Sequence, residues 1–228
     1  MTLDVPSLSF FGRTLAEYLS MFALGDAGLA DRRILDVAAG PASFTAEACA
    51  AGIEVTAVDP LYGLPHDALA GHVQADYARM IAALRARPSL LRFKYFPSID
   101  AAEGSRRAAA ARFLADYEGG FVHGRYVGGA LPRLPFADRS FDLVLCAHLL
   151  FVYAARFDYD WHVRACRELA RVAEGEARIH PICGLDGRPY AELDRLQGEL
   201  DAAGIRSEIV PIDYEFFAGS GSYLSLRR

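Results

Sequence analysis

Apolar residues in this chain fall into short uninterrupted runs separated by longer stretches with helical spacing, a pattern that predicts alternating strands and helices. The first run, Ile34-Leu35, ends in Asp36, and a loop of small residues follows, Ala38-Ala39-Gly40-Pro41-Ala42. A helix is predicted from about Ser43, a turn at Gly52, and a second apolar run that closes on Asp59. Upstream, Leu15, Tyr18, Leu19 and Phe22 predict an amphipathic helix over 8–24. The third strand is late: ordinary spacing would place it near residue 85, yet the best candidate is 125–127. Between lie two predicted helices, 67–86 and 101–117, joined by the aromatic and basic connector Leu91-Arg92-Phe93-Lys94-Tyr95-Phe96-Pro97. Beyond a strand entered at Leu143, a helix containing 167–172 is expected to end in a Gly turn before a strand at 177–182. The tail predicts a helix at 189–203 and strands at 205–212 and 223–226.

The last two strands are separated by a short turn around Gly219-Ser220-Gly221, so they must pair antiparallel at the end of an otherwise parallel α/β sheet. With 228 residues, 53% of them hydrophobic, residues 1–228 are expected to form a single domain. The net charge of −5, with both signs interspersed, speaks against a nucleic-acid partner. The N-terminal MTLDVPSLSFFGRTL has no charged stretch leading an apolar run, so no signal peptide is expected. The longest nearly continuous apolar stretch, 143–155, contains His148 and is too short to span a bilayer. Cys49, Cys146, Cys166 and Cys183 lack metal-ligand spacing; they are read as reduced thiols of a cytoplasmic protein without a metal site. Oligomeric state leaves no mark in the sequence.

Small residues after the first strand let a ligand approach the backbone, and the helix start beyond them offers free N–H groups. A carboxylate at Asp59, about 20 residues on, suits a ribose diol. Asp36, at the mouth of the same loop, would repel a pyrophosphate and attract a cation. S-adenosylmethionine carries ribose, no phosphate, and a cationic ammonium and sulfonium. The alternative for this stretch alone is a buried β-α-β unit whose acids merely cap its strands.

Asp36, Ala38, Gly40 and Ala42 resemble the nucleotide-binding signature of class I S-adenosylmethionine-dependent methyltransferases, an acid followed by three alternate glycines, with alanine at two of the three. The segment Leu134-Pro135-Phe136 through Ser140-Phe141-Asp142 to Cys146 resembles that family's lead into its fourth strand. Arg171-Val172, ending a helix before the next strand, is similar to another of its elements. The resemblance covers most of 34–182 and implies a Rossmann-like seven-stranded, mostly parallel sheet with a C-terminal antiparallel hairpin and helices on both faces. It also implies S-adenosylmethionine as cofactor, a small-molecule methyl acceptor, and a helical lid inserted at about 62–122. The family often has an Asp where Ala130 stands, which leaves the backbone of Ala130 and Leu131 to read the adenine edge. Cys146-Ala147-His148-Leu149 occupies the place of an Asn-Pro-Pro-Tyr element, against methylation of adenine or glutamine nitrogens.

On that resemblance, Asp59 holds the ribose, Pro60 and Leu61 face the adenine or form a plain turn, and Ala38 and Gly40 carry the loop. Asp36 serves the methionine ammonium through water or backbone, and Cys146 stands with the cofactor residues at the end of its strand. Arg13 and Tyr18 sit on the N-terminal helix, Arg13 either pairing with the methionine carboxylate or lying on the surface. His148 is either a general base or a core histidine with a satisfied hydrogen bond. Phe93, Tyr95 and Phe96 are candidate acceptor walls or packing aromatics; Tyr153, Asp158, Tyr159 and Trp161 are further candidates after the fourth strand. Arg85, Arg87, Arg92 and Lys94 read as a solvated face. Two other functions stay open: a non-catalytic S-adenosylmethionine-binding module, and a nicotinamide-dependent oxidoreductase, which Asp36 and the terminal hairpin oppose.

Overall fold

A computed structural model describes residues 7–25 and 28–228; the first six residues of the N-terminus considered above lie outside the described residues. In chain order the elements are α1 (Leu15–Met21), β1 (Arg33–Val37), α2 (Phe44–Ala50), β2 (Glu54–Asp59), α3 (His66–Arg85), α4 (Ile99–Val122), β3 (Tyr126–Gly128), β4 (Phe141–Ala147), α5 (Tyr159–Val172), β5 (Ala173–His180), α6 (Leu193–Ala202), β6 (Arg206–Pro211) and β7 (Ser222–Arg227). The strands form one seven-stranded sheet in the order β3-β2-β1-β4-β5-β7-β6. Strand β1 pairs in parallel with β2 and with β4, whereas β7 runs antiparallel to both β5 and β6. The parallel sheet with its terminal antiparallel hairpin is therefore as expected.

The central strands are apolar on both faces because helices cover both. Ile34, Leu143 and Leu145 pack with Phe44, Tyr77 and Ile81 in one core, while Leu35, Val37, Val144 and Cys146 pack with Cys166, Leu169 and Leu196 in the other. This period-two alternation places Asp36, between Leu35 and Val37, on the first face.

Three boundaries differ from the sequence expectation. The N-terminal helix is only Leu15–Met21, capped by Thr14, whose side chain accepts from the Glu17 N–H; residues 8–13 form no helix and run as a strap over the sheet's end. No turn separates α5 from β5: the chain passes directly from Val172 into Ala173. Gly175 lies inside the strand, at the register shift opposite Phe141 and Leu143, where a Cβ would sit 2.6 Å from the Asp142 carbonyl oxygen. Helix α6 begins at Leu193, the preceding residues having been consumed by the connection from β5.

The long connection between β2 and β3 is two antiparallel-packed helices, α3, displaced by one residue from the predicted 67–86, and α4, which extends beyond both predicted ends. Ser98 caps α4 by accepting from the Ala101 N–H, and Asp158 does the same for α5 through Trp161.

Candidate functional site

At the C-terminal ends of β1, β2 and β4 lies a cavity of about 700 Å³, within the range of small-molecule sites. Its floor comes from Val37–Gly40, Asp59–Leu61 and Gly129–Leu131, where successive parallel strands end. The loop after β1 turns sharply: Ala38 and Gly40 both have φ of +56°. Glycine takes this conformation freely, but alanine holds it only against steric cost. Gly40 donates its N–H to Asp59 Oδ2 at 3.0 Å, and Leu61 donates to Oδ1, also at 3.0 Å. The Asp59 carboxylate is thus held by backbone at the tip of β2. Burial pushes its pKa up to about 6, against the two backbone N–H groups, which pull it down.

The cover is built from distant parts of the chain. The strap lies on the floor because Gly12 has no Cβ; one there would fall 2.0 Å from the Pro41 carbonyl oxygen. The Phe10 N–H donates to Asp76 Oδ2 at 2.6 Å and the Gly12 N–H to the Tyr77 hydroxyl at 3.1 Å, tying the strap to α3. From α3, His72, Asp76, Arg79, Met80 and Leu84 line the cavity, so the inserted helix does face it. Beneath, Arg106 of α4 is buried in an ion pair with Glu17 of α1, and Tyr214 donates to the same carboxylate at 2.6 Å. Phe11, Phe96 and Phe216 surround the Arg106 guanidinium at 5.4, 5.4 and 5.0 Å. Burial alone would push the Glu17 carboxyl up, but Arg106, with help from Arg13 and Tyr214, holds it below the usual carboxylate range.

Asp36 departs from the geometry its sequence position suggested. It is fully buried and does not line the cavity; both of its oxygens accept from the Tyr18 hydroxyl at 3.0 Å. Tyr18 stacks on Phe44 and itself lines the cavity, so it stands between the acid and the space above. Burial, with Asp59 adding repulsion, raises the Asp36 pKa well above the usual carboxylate range, although the Tyr18 hydrogen bond opposes this. Cys146 is likewise buried and absent from the lining; its neighbours Ala147 and His148 reach the cavity instead.

Arg13 is not a surface arginine. Its side chain is 12% exposed and donates from Nη1 to the Phe11 carbonyl, while its Nε, 3.8 Å from Glu17 Oε1, is buried without a hydrogen bond. His148 also lines the cavity, at φ +56°, with its N–H donating to the His180 carbonyl at 2.6 Å and its Nδ1 buried without a partner. Burial first, then Arg13, His180 and Arg106, whose charged forms oppose a second positive charge, keep the imidazole well below its usual pKa.

Ala38, Gly40, Asp59, Pro60, Leu61, Ala130, Leu131, Arg13, Tyr18 and His148 therefore meet at one cavity, together with Tyr153 and Trp161. Phe93 is exposed, while Tyr95 and Phe96 pack on Tyr214 and Phe216 and brace the cover from outside. Asp158 caps its helix and Tyr159 donates to Glu199. Arg85 and Lys94 pair with surface acids, and Arg87 and Arg92 donate to local carbonyls, as a solvated face would. Sequence reasoning missed Phe216, Phe217 and His180. The first two were signalled by an aromatic pair in the turn between β6 and β7, but nothing local marked His180.

S-adenosylmethionine would bring a ribose diol, an ammonium, a sulfonium and one carboxylate to this cavity. Asp59 retains lone pairs for hydroxyl donors, and the unpartnered Arg13 Nε is the donor that a carboxylate satisfies. The residues present fit this ligand. Among the described residues no group of three or more metal-ligating side chains converges, and no helix is long and apolar enough to cross a membrane.

Residues 77–179 match the family described as a methyltransferase domain. The chain is 31% identical over 227 residues to uncharacterized protein MJ0045 of Methanocaldococcus jannaschii, covering 99% of each. Among solved structures it is similar to a protein of Methanococcus maripaludis assigned as an S-adenosyl-L-methionine-dependent methyltransferase, with 13% identity, 94% and 85% of the two chains covered, and a TM-score of 0.50. It is also similar to 1,6-didemethyltoxoflavin-N1-methyltransferase of Burkholderia thailandensis, at 19% identity, 92% and 76% coverage and a TM-score of 0.46. With a relative along nearly its whole length, the chain belongs to the family of that Methanocaldococcus jannaschii protein; its residues 77–179 match a methyltransferase domain, and its sheet is that of the class I S-adenosylmethionine-dependent methyltransferase fold.

Proposed function

We propose that the chain binds S-adenosylmethionine on the floor of the cavity and transfers its methyl group to a small-molecule acceptor under the cover. The observation that carries the reading is the presence, at one cavity, of the backbone-held Asp59 carboxylate and the buried Arg13 with its unpartnered Nε. Asp59 would accept from the ribose hydroxyls and Arg13 would donate to the methionine carboxylate. The Ala130 and Leu131 backbone would meet the adenine edge, since Ala130 offers no side-chain acceptor. Tyr18 would present the polar face behind which Asp36 is buried. When bound, this cofactor supplies a methyl group on a sulfonium, ready to leave a neutral thioether.

The chain's own contribution is to hold two ligands together and exclude water, which in favourable cases is worth about 7–11 kcal/mol. The strap and α3 supply the exclusion. His148, neutral at physiological pH, can take a proton from the acceptor, though burial makes it a weaker base than a free imidazole. We read residues 1–228 as one cytoplasmic domain, a reading supported by four cysteines that are free in the fold.

The test is transfer of label from methyl-labelled S-adenosylmethionine to the low-molecular-mass fraction of a cell extract. Label appearing there, and lost in an Asp59→Ala variant, supports the proposal. The second reading, a binding module without turnover, is favoured by the strained Ala38 and by Ala130. It predicts tight binding of the cofactor and no label in any fraction.

A further inference from the structure

Away from the floor the cavity walls become apolar and aromatic. Phe157 and Trp161 stack with centroids 3.8 Å apart and planes within 10°, and Met80, Tyr153 and Phe217 join them in the lining. Three lining residues carry a buried polar side-chain atom without a partner: Arg13 Nε, Arg79 Nε and His148 Nδ1. Arg79 pairs with Asp76 at 2.8 Å, and Arg13 is the residue read above as the donor to the methionine carboxylate. His148 is the remaining one. Its ring lies 5.1 Å from that of His180 and 6.1 Å from that of Phe217, with no hydrogen bond to Nδ1. His180 donates from Nε2 to the Ser220 carbonyl at 2.8 Å, which leaves its own buried Nδ1 as a second acceptor without a donor. A buried polar atom without a partner, on a residue of the cavity wall kept at φ +56°, is costly unless a ligand completes it.

We propose, resting on the methyl-transfer reading above, that the acceptor is a planar aromatic molecule presenting a hydroxyl group to His148: a phenol, not an amine or a carboxylic acid. A hydroxyl both donates and accepts, so it satisfies His148 Nδ1 in either tautomer. A carboxylate has no proton to give, and a carbonyl or ether can only accept. A basic amine is cationic at neutral pH and would meet the positive potential of Arg13 and Arg106, the same charges that help keep His148 unprotonated. The stacked Phe157 and Trp161, with Phe217 beside His148, suit a flat ring better than an extended polar chain.

The experiment measures binding of 4-methylphenol, which stays un-ionised at pH 7, 4-methylanisole and benzylamine at that pH by calorimetry, with and without S-adenosylhomocysteine. The expected result is that 4-methylphenol binds at least 10-fold more tightly than 4-methylanisole, and benzylamine most weakly. His148→Gly, which suits the φ of +56°, and His148→Phe, which keeps a ring, should each bring the phenol-to-anisole ratio close to one while S-adenosylhomocysteine still binds. Equal binding of phenol and anisole by the native chain, tighter binding of benzylamine, or a ratio unchanged in a folded His148 variant would overturn the proposal. Absence of heat with S-adenosylhomocysteine would instead count against the cofactor reading, and the phenol-to-anisole ratio without it would still decide the role of His148.

Discussion

The loop after β1 and the cover above it line the same cavity but draw on different ranges of the chain. The floor is local: Gly40 and Asp59, 19 residues apart, share a hydrogen bond, and each loop leaves the strand that positions it. The cover joins Glu17, Arg106 and Tyr214, separated by 89 and 197 residues from the first to each of the others, in one buried cluster. A local floor tolerates an imperfect residue such as Ala38, because the flanking strands impose its geometry. A cover assembled from three distant segments depends on each partner being present.

The largest expected effect comes from breaking the cover. Arg106→Ala leaves the Glu17 carboxylate buried without its partner and should cost about 3–5 kcal/mol in urea unfolding. Adding Glu17→Gln to it should recover part of that loss; no recovery would mean that packing against the three aromatic rings, not charge pairing, is what Arg106 supplies.

A second measurement isolates Asp59. Its pKa in the folded chain, about 6, lies above the ordinary 3.8, so the folded state holds the proton more tightly. The stability that this provides is present at low pH and is lost as pH rises from about 4 to about 6, by on the order of 1–3 kcal/mol. Unfolding of native and Asp59→Asn chains across that window should therefore diverge in this sense. His148 and His180 are present in both proteins, whereas Asp36, whose pKa Asp59 helps raise, is itself eased downward in Asp59→Asn, so the difference reports Asp59 together with its coupling to Asp36.

Gly12→Ala should lift the strap from Pro41 and cost about 1–3 kcal/mol, with a parallel loss of cofactor affinity. If stability falls while affinity is kept, the strap braces the fold and does not serve the site. The smallest effect is a gain: Ala38→Gly relieves a left-handed alanine and should add about 1 kcal/mol in thermal unfolding. A loss there would mean that the Ala38 methyl makes contacts worth more than the strain.

The same contrast governs how much was legible in sequence. Period-two runs and Gly turns located β1, α2 and β2 closely, and the Gly-rich turn correctly implied the antiparallel β6–β7 pair. Within that frame Asp59, Gly40 and Leu61 fell together as spacing suggested, because local geometry leaves few alternatives. The strap was included in the predicted helix 8–24, whose helical spacing comes from Leu15, Tyr18, Leu19 and Phe22; what keeps residues 8–13 out of it is hydrogen bonding to Asp76 and Tyr77, more than 60 residues away. Gly175 was read as a turn, since sequence shows a glycine but not the Asp142 carbonyl packed against it. Asp36 looked exposed to the ligand because nothing nearby in sequence announces Tyr18 as its partner. His180 could not be found at all, as its significance lies in a ring 5.1 Å away on another strand's end.

The most direct test of the central claim is thermal unfolding of the native chain and of Asp59→Ala with S-adenosylmethionine, S-adenosylhomocysteine or NADH. At 100 times its dissociation constant a ligand adds about 2.7 kcal/mol. The account predicts this gain with both sulfur compounds, none with NADH, and loss of the gain in Asp59→Ala. A gain with NADH alone would contradict it, and a gain undiminished in Asp59→Ala would remove Asp59 from the ribose.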